Sequence, residues 1–329
     1  MSAVFLAVTI DCECDKGARW RSQTPLRFEG VREGVGRRLA PLFRELRAKP
    51  TYLLSPEVFR DAESVEVFAN QGTDAELGTH LHGEYAEPGA FDPVVTSAFQ
   101  RDYPPELEAA KLSSLTATFR SAFGRSPRAF RAGRFGVGPA TFGLLESLGY
   151  AADSSVTPFV SWERSGARGL SFRGAPTQPY HPSRDPGVRG VSPRAGPGVR
   201  GVSPRAGPGV RGVSTLIEVP VTIRPHWLSR VPGLGRLAPP RWLRPTHTSG
   251  EGMVGVAKEE IRAARRTSGA PIVLNAMFHN VEVIPGASPY ARTEREARTI
   301  LNRLRALLEF AARESIRVVG MTEIAELFS

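Results

Sequence analysis

From position 3 to 10 the chain is apolar and β-prone without a break, and it then meets acid at Asp11, the pattern of a buried strand ending at a polar edge. A different period follows. Val35, Leu39, Leu42, Phe43 and Leu46 recur at helical spacing and predict a helix over 32–48. Thr51–Leu54 reads as a short strand, and Ser55-Pro56 behind it opens a predicted helix over 57–70. The alternation continues with a strand over 76–82, an amphipathic helix over 106–123, a strand over 129–132, a helix over 139–148 stopped by Gly149, and a strand-like stretch over 150–154. The last third predicts a strand over 216–222, a helix over 254–266, a strand over 271–278, a long helix over 293–315, a strand over 317–320 and a closing helix over 322–327.

Strands alternating with helices from end to end argue for a parallel α/β sheet, open or closed as a barrel. At 329 residues one such domain spans the chain. In barrels of this kind the functional groups sit at the C-terminal ends of strands. One segment breaks the pattern. From 186 onward, Pro-Gly-Val-Arg-Gly-Val-Ser-Pro-Arg-Ala-Gly occurs twice and a third copy stops after Ser214. Gly and Pro dominate it and apolar mass is too sparse to fold, so 184–214 reads as a low-complexity insertion within a single domain covering 1–329.

Composition changes this picture in two ways. The formal net charge is +10, and half of it is local: 184–214 carries six arginines against one acid, Asp185. A basic chain attracts anionic partners, but no basic run interleaved with aromatics occurs, so nucleic-acid binding is not expected. The two cysteines, Cys12 and Cys14, are too close for an ordinary bridge and suit a reducing compartment. The apolar start is too short for a signal segment, and no run of about 18 apolar residues predicts a membrane span. The expected location is the cytoplasm.

Chemistry gathers at strand ends. In Thr9-Ile10-Asp11-Cys12-Glu13, strand alternation puts Thr9, Asp11 and Glu13 on one face. Two carboxylates there are expensive to bury unless they bind a cation or share a proton. In Gly78-Thr79-His80-Leu81-His82-Gly83-Glu84, a persisting strand groups His80, His82 and Glu84, whereas a helical turn would group His80 with Glu84. Two histidines at a strand end raise the prospect of a metal site. His279 closes the apolar run Ala276-Met277-Phe278, and Arg131 ends the strand before Gly133 and Gly136, where a guanidinium can hold a carboxylate charged.

The order of these clusters resembles the polysaccharide deacetylase family, the NodB-homology fold, over about residues 4–325. Its acidic strand end resembles Asp11 and Glu13, its histidine pair Glu76-Leu77-Gly78-Thr79-His80 onward, its arginine turn Arg131 to Gly136, and its last histidine His279. The chain departs from the commoner pattern in having Cys12 beside Asp11, and in having Glu84 where many members place a second histidine four residues after the first. The resemblance implies a distorted parallel (β/α) barrel and a metal-dependent hydrolase that removes N-acetyl groups from a polysaccharide or a glycan precursor. It implies a divalent metal, zinc first with cobalt or nickel as alternatives, held by Glu13, His80 and a third ligand, His82 before Glu84. Asp11 would be the general base, His279 the general acid, Arg131 the partner of Asp11, and Asp153 the residue orienting His279.

Three rival readings remain. Cys12, Cys14, His80 and His82 have the ligand types of a closed zinc site, though alternation turns the cysteines away from Asp11 and Glu13 and toward the core. A non-catalytic glycan-binding module could use the same fold, and so could a hydrolase of small carbon–nitrogen substrates. His181, His226 and His247 look ordinary, and the aromatic, proline-rich stretch 227–243 reads as loop packing or as a wall of the substrate cleft.

Overall fold

The computed structural model describes residues 2–91, 99–167, 169–182, 214–226, 228 and 239–329. The repeat expected at 184–214 lies outside the described residues apart from Ser214, and most of 227–243 lies outside them too.

β1 (Val4–Cys12) organises the molecule. Along one edge it pairs in parallel with β9 (Ile272–His279), from Val4 opposite Ile272 to Asp11 opposite His279. Along the other edge it pairs first with β10 (Arg317–Val318) and then, from Thr9 onward, with β2 (Thr51–Leu54). The sheet continues in parallel through β3 (Glu76–Leu81), β4 (Ala129–Ala132), β5 (Ala152–Asp153) and β6 (Ile217–Glu218). The result is an eight-stranded curled sheet. The chain beyond β6 is drawn against β9 by the Thr222 N–H donating to the Asn275 carbonyl at 2.9 Å and by Asn275 Nδ2 donating to the Val219 carbonyl at 3.0 Å. This is the distorted parallel (β/α) barrel that the family resemblance implies, and it closes a question the alternating pattern left open, between an open sheet and a barrel.

The helices α1 (Ala40–Glu45), α2 (Ala62–Ala69), α3 (Pro105–Phe123), α4 (Thr141–Ser147), α5 (Gly250–Thr267) and α6 (Glu294–Arg313) lie between successive strands, and α7 (Met321–Phe328) closes the chain. Two predicted helices divide. The helix expected over 32–48 begins as a wide π-helical segment, Gly30–Leu39, before α1. Gly30 and Gly34 there press on the turn after β9: a Cβ on Gly30 would stand 2.8 Å from Val281 Cγ1, and one on Gly34 3.0 Å from the Asn280 carbonyl. The helix expected over 57–70 is a 3-10 turn, Pro56–Arg60, followed by α2, because Asp61 interrupts it as the N-cap, accepting from the Ser64 N–H at 3.0 Å. The strand expected over 216–222 pairs only at Ile217–Glu218, as Pro220 has no N–H to continue a ladder. A short antiparallel pair, β7 (Ile223–Arg224) with β8 (Arg241–Trp242), is an addition no local periodicity announced.

Alternation along the strands sorts the interior. Leu6, Val8, Ile10 and Cys12 face outward into the core shared with Leu304, Leu307 and Leu308 of α6. Phe5 and Ala7 face the barrel axis, with Leu53, Ala129, Ala152 and Val273, and Met321 and Ile324 of α7 plug that end. The next inward positions, Thr9 and Asp11, are polar and buried, as is Glu13 just past the strand. One strand thus carries an apolar floor and a polar mouth.

Candidate metal centre

The strand registers assemble the mouth. Pairing of β1 with β9 sets Asp11 beside His279, and pairing of β3 with β4 sets His80 beside Arg131. Glu13 Oε1 lies 3.2 Å from His80 Nε2 and 3.0 Å from His82 Nε2. One ligand atom from each of Glu13, His80 and His82 falls within 4.8 Å of the others, and this is the group among the described residues that could hold a metal ion. His279 Nε2 stands 3.8 Å from both Asp11 Oδ2 and Glu13 Oε1.

The donor chemistry fits a cation. His80 Nδ1 lies 3.0 Å from the Arg131 carbonyl, which can only accept, so the proton of a neutral His80 sits on Nδ1 and the Nε2 lone pair faces Glu13. Two acceptors at 3.2 Å repel unless a proton or a metal ion stands between them. His82 is held likewise, with Glu13 at Nε2 and Glu84 Oε1 3.2 Å from Nδ1. Burial opposes its charging, but the two carboxylates outweigh burial and push it up to about 9. Glu84 lies behind His82 and not in the ligand group, paired to Arg134 at 2.6 Å.

Asp11 is held from the other side. Arg131, fully buried, donates to Asp11 Oδ1 at 2.6 Å, to Thr9 Oγ1 at 2.6 Å and to the Ser154 carbonyl and hydroxyl. Burial raises the Asp11 carboxyl, yet Arg131, then His80 and His279, outweigh it and keep the group below its usual range. Oδ2 is left facing His279.

His279 is oriented by Glu282, whose Oε1 lies 2.7 Å from Nδ1. Burial would raise Glu282, but Arg244, hydrogen-bonded to it, and His279 hold it low and charged, so Nδ1 donates and Nε2 faces the cleft. This corrects the role expected of Asp153. Ser154 points inward to Arg131 and Asn275, so its neighbour points outward. Asp153 instead bonds Ser155 and lies opposite Glu218, and burial drives both carboxyls up.

Several residues escaped the sequence reading. Lys16 Nζ, buried, pairs with Glu13 Oε2 at 2.9 Å. Asn280 grips the Glu13 backbone at both its N–H and its carbonyl, at 3.0 Å each. Trp20 packs edge-on against His279 and Tyr290, and Tyr290 packs against His247. The only signal for Lys16 and Glu282 is their place three residues after Glu13 and His279, a spacing too common to single them out. Cys12 and Cys14 are free, buried in the outer core and outside the ligand group. His181 is half-buried in its loop.

No family model matches the sequence, and no curated protein matches it. Solved structures do. A Mycobacterium smegmatis protein assigned as a polysaccharide deacetylase superposes with a TM-score of 0.56 at 16% identity, covering 99% of this chain and 90% of that one. A Pseudomonas aeruginosa PAO1 protein assigned the same way gives 0.54 at 14%, covering 99% and 90%. The Puue allantoinase gives 0.54 at 13%, covering 99% and 89%. Likeness at such identities establishes the fold: the chain has the NodB-homology fold of polysaccharide deacetylases. Among the described residues no helix is long and apolar enough to cross a membrane.

Proposed function

We propose that this protein is a metal-dependent hydrolase that removes N-acetyl groups from a polysaccharide or a glycan precursor. The observation that carries the reading is the approach of Asp11 and His279 to within 3.8 Å of each other beside the Glu13, His80 and His82 ligand group. Glu13, His80 and His82 would hold a divalent ion, zinc by ligand type. Such an ion polarises an amide carbonyl and makes water more acidic.

The remaining work belongs to the protein. Asp11, held charged by Arg131 through Oδ1, takes a proton from the attacking water at Oδ2. The water oxygen bonds the acetyl carbon as the carbon–nitrogen bond breaks. His279, its Nδ1–H fixed on Glu282, supplies the proton from Nε2 to the leaving amine, yielding acetate and a free amino sugar. Because Asp11 and Arg131 are buried together, the base keeps its charge and its direction without help from solvent.

Acetate release from N-acetylated oligosaccharides, after metal removal and after restoring zinc, cobalt or nickel, tests the reading. Asp11→Asn is expected to lower turnover about 10²–10⁴-fold with metal content retained, and His80→Ala to lose the metal. Metal loss in Asp11→Asn would overturn the separate roles given to Asp11 and Glu13.

A further inference from the structure

Four carboxylates crowd the mouth, and each has its own cation. Glu13 pairs with Lys16 at 2.9 Å, Asp11 with Arg131 at 2.6 Å, Glu84 with Arg134 at 2.6 Å, and Glu282 with Arg244. Glu13 and Glu84, the two acids that line the adjoining cleft, are thus each compensated before any ligand enters.

A cleft of about 750 Å³ opens beside the ligand group, lined by Glu13, His82, Trp20, Arg21 and Arg134 among others. Of the charged side chains lining it, Arg21 has no carboxylate partner among the described residues. Its loop is anchored. The Arg21 N–H donates to the Lys16 carbonyl at 2.7 Å, and the N–H groups of Lys16 and Gly17 donate to the Ala287 carbonyl at 2.9 and 3.0 Å. Next along, the Ser22 hydroxyl meets Tyr85 Oη at 2.6 Å. Among the described residues, a guanidinium with no carboxylate partner is thus presented from a tied loop into a cleft whose described acids are all matched. A guanidinium in that setting recognises carboxylate or phosphate in bidentate fashion. A divalent ion at Glu13, His80 and His82 would only add positive charge.

We infer that the substrate carries an anionic group, a carboxylate or a phosphate, which Arg21 binds in this cleft. The inference rests on the deacetylase reading for the N-acetyl group and names the class of glycan that brings it.

Binding decides it. The full chain, loaded with zinc, is titrated calorimetrically with three matched N-acetylated oligosaccharides: neutral, hexuronate-bearing and phosphate-bearing. At least one anionic ligand is expected to bind about tenfold or more tighter than the neutral one, with an advantage that shrinks as salt rises. The preferred anionic ligand identifies the group. Arg21→Gln should bring the preference to within about twofold of unity, and Arg21→Lys should retain part of it. Equal binding of all three, binding of none, or a preference unchanged in Arg21→Gln overturns the inference. Acetate release is measured on the same ligands. An anion preference without acetate from any of them would sink the deacetylase reading and leave the anion site standing.

Discussion

The floor and the mouth of this barrel are built from the same strands and held by opposite means. At the floor, Phe5, Ala7, Leu53, Ala129, Ala152 and Val273 meet under α7, and Thr51 and Glu76 bond the start of that helix at the edge of this apolar cluster. Two residues further along the same strands lie Thr9, Arg131 and Asn275, and two beyond Thr9 lies Asp11; all are buried but polar. They persist there because their bonds close on one another. Thr9 Oγ1 donates to Asn275 Oδ1 at 2.9 Å and accepts from Arg131, while Asn275 Nδ2 donates to Ser154 Oγ at 2.8 Å. Burial at the floor stabilises almost independently of partner identity, at roughly 25 cal/mol per Å² of apolar surface. Burial at the mouth is tolerable only while every partner is present. The mouth therefore trades tolerance to substitution for fixed direction of its charges.

The largest test of that contrast is Arg131→Met. It leaves Asp11 buried without its cation, and a loss of about 3–5 kcal/mol in urea denaturation is expected. A loss under about 1 kcal/mol would mean that the mouth does not depend on this pair. Next comes Met321→Ala at the floor, fully buried on α7. It should cost about 2–5 kcal/mol through the cavity it leaves, while metal stoichiometry measured on the folded protein stays unchanged. A drop in metal content there would show that floor and mouth are not separable. Smallest is Asp61→Ala, remote from both, which removes the N-cap of α2 and the partner of Arg32. About 1 kcal/mol is expected. Burial raises the Asp61 carboxyl, but the bonds from Arg32 and Ser64 outweigh it and hold the group below its usual range. Its contribution is thus complete above the unfolded-state value of about 3.9 and fades as pH falls through the lower folded value. Wild type and variant should converge in acid, as read by thermal melts across pH.

The strands and helices were legible in the chain because periodicity is a local property. The run ending at Asp11, the run ending at His279 and the spacing of Val35 to Leu46 each declare a face without reference to anything distant. The same rule carried the inward direction of Thr9 and Asp11 and the outward direction of Cys12. Partner choice is not local. That Glu282 and not Asp153 meets His279 follows from a turn after β9 and from the outward phase of β5, and both are set by packing. That His82 stands beside Glu13 while Glu84 pairs with Arg134 depended on where Glu13 and Arg134 lie, 69 and 50 residues away in sequence. The wide turn of Gly30–Leu39 depended on what presses on Gly30 and Gly34. A residue's face is decided by its neighbours in sequence. Its partner is decided by strand register across the barrel, and only the tertiary structure sets that distance.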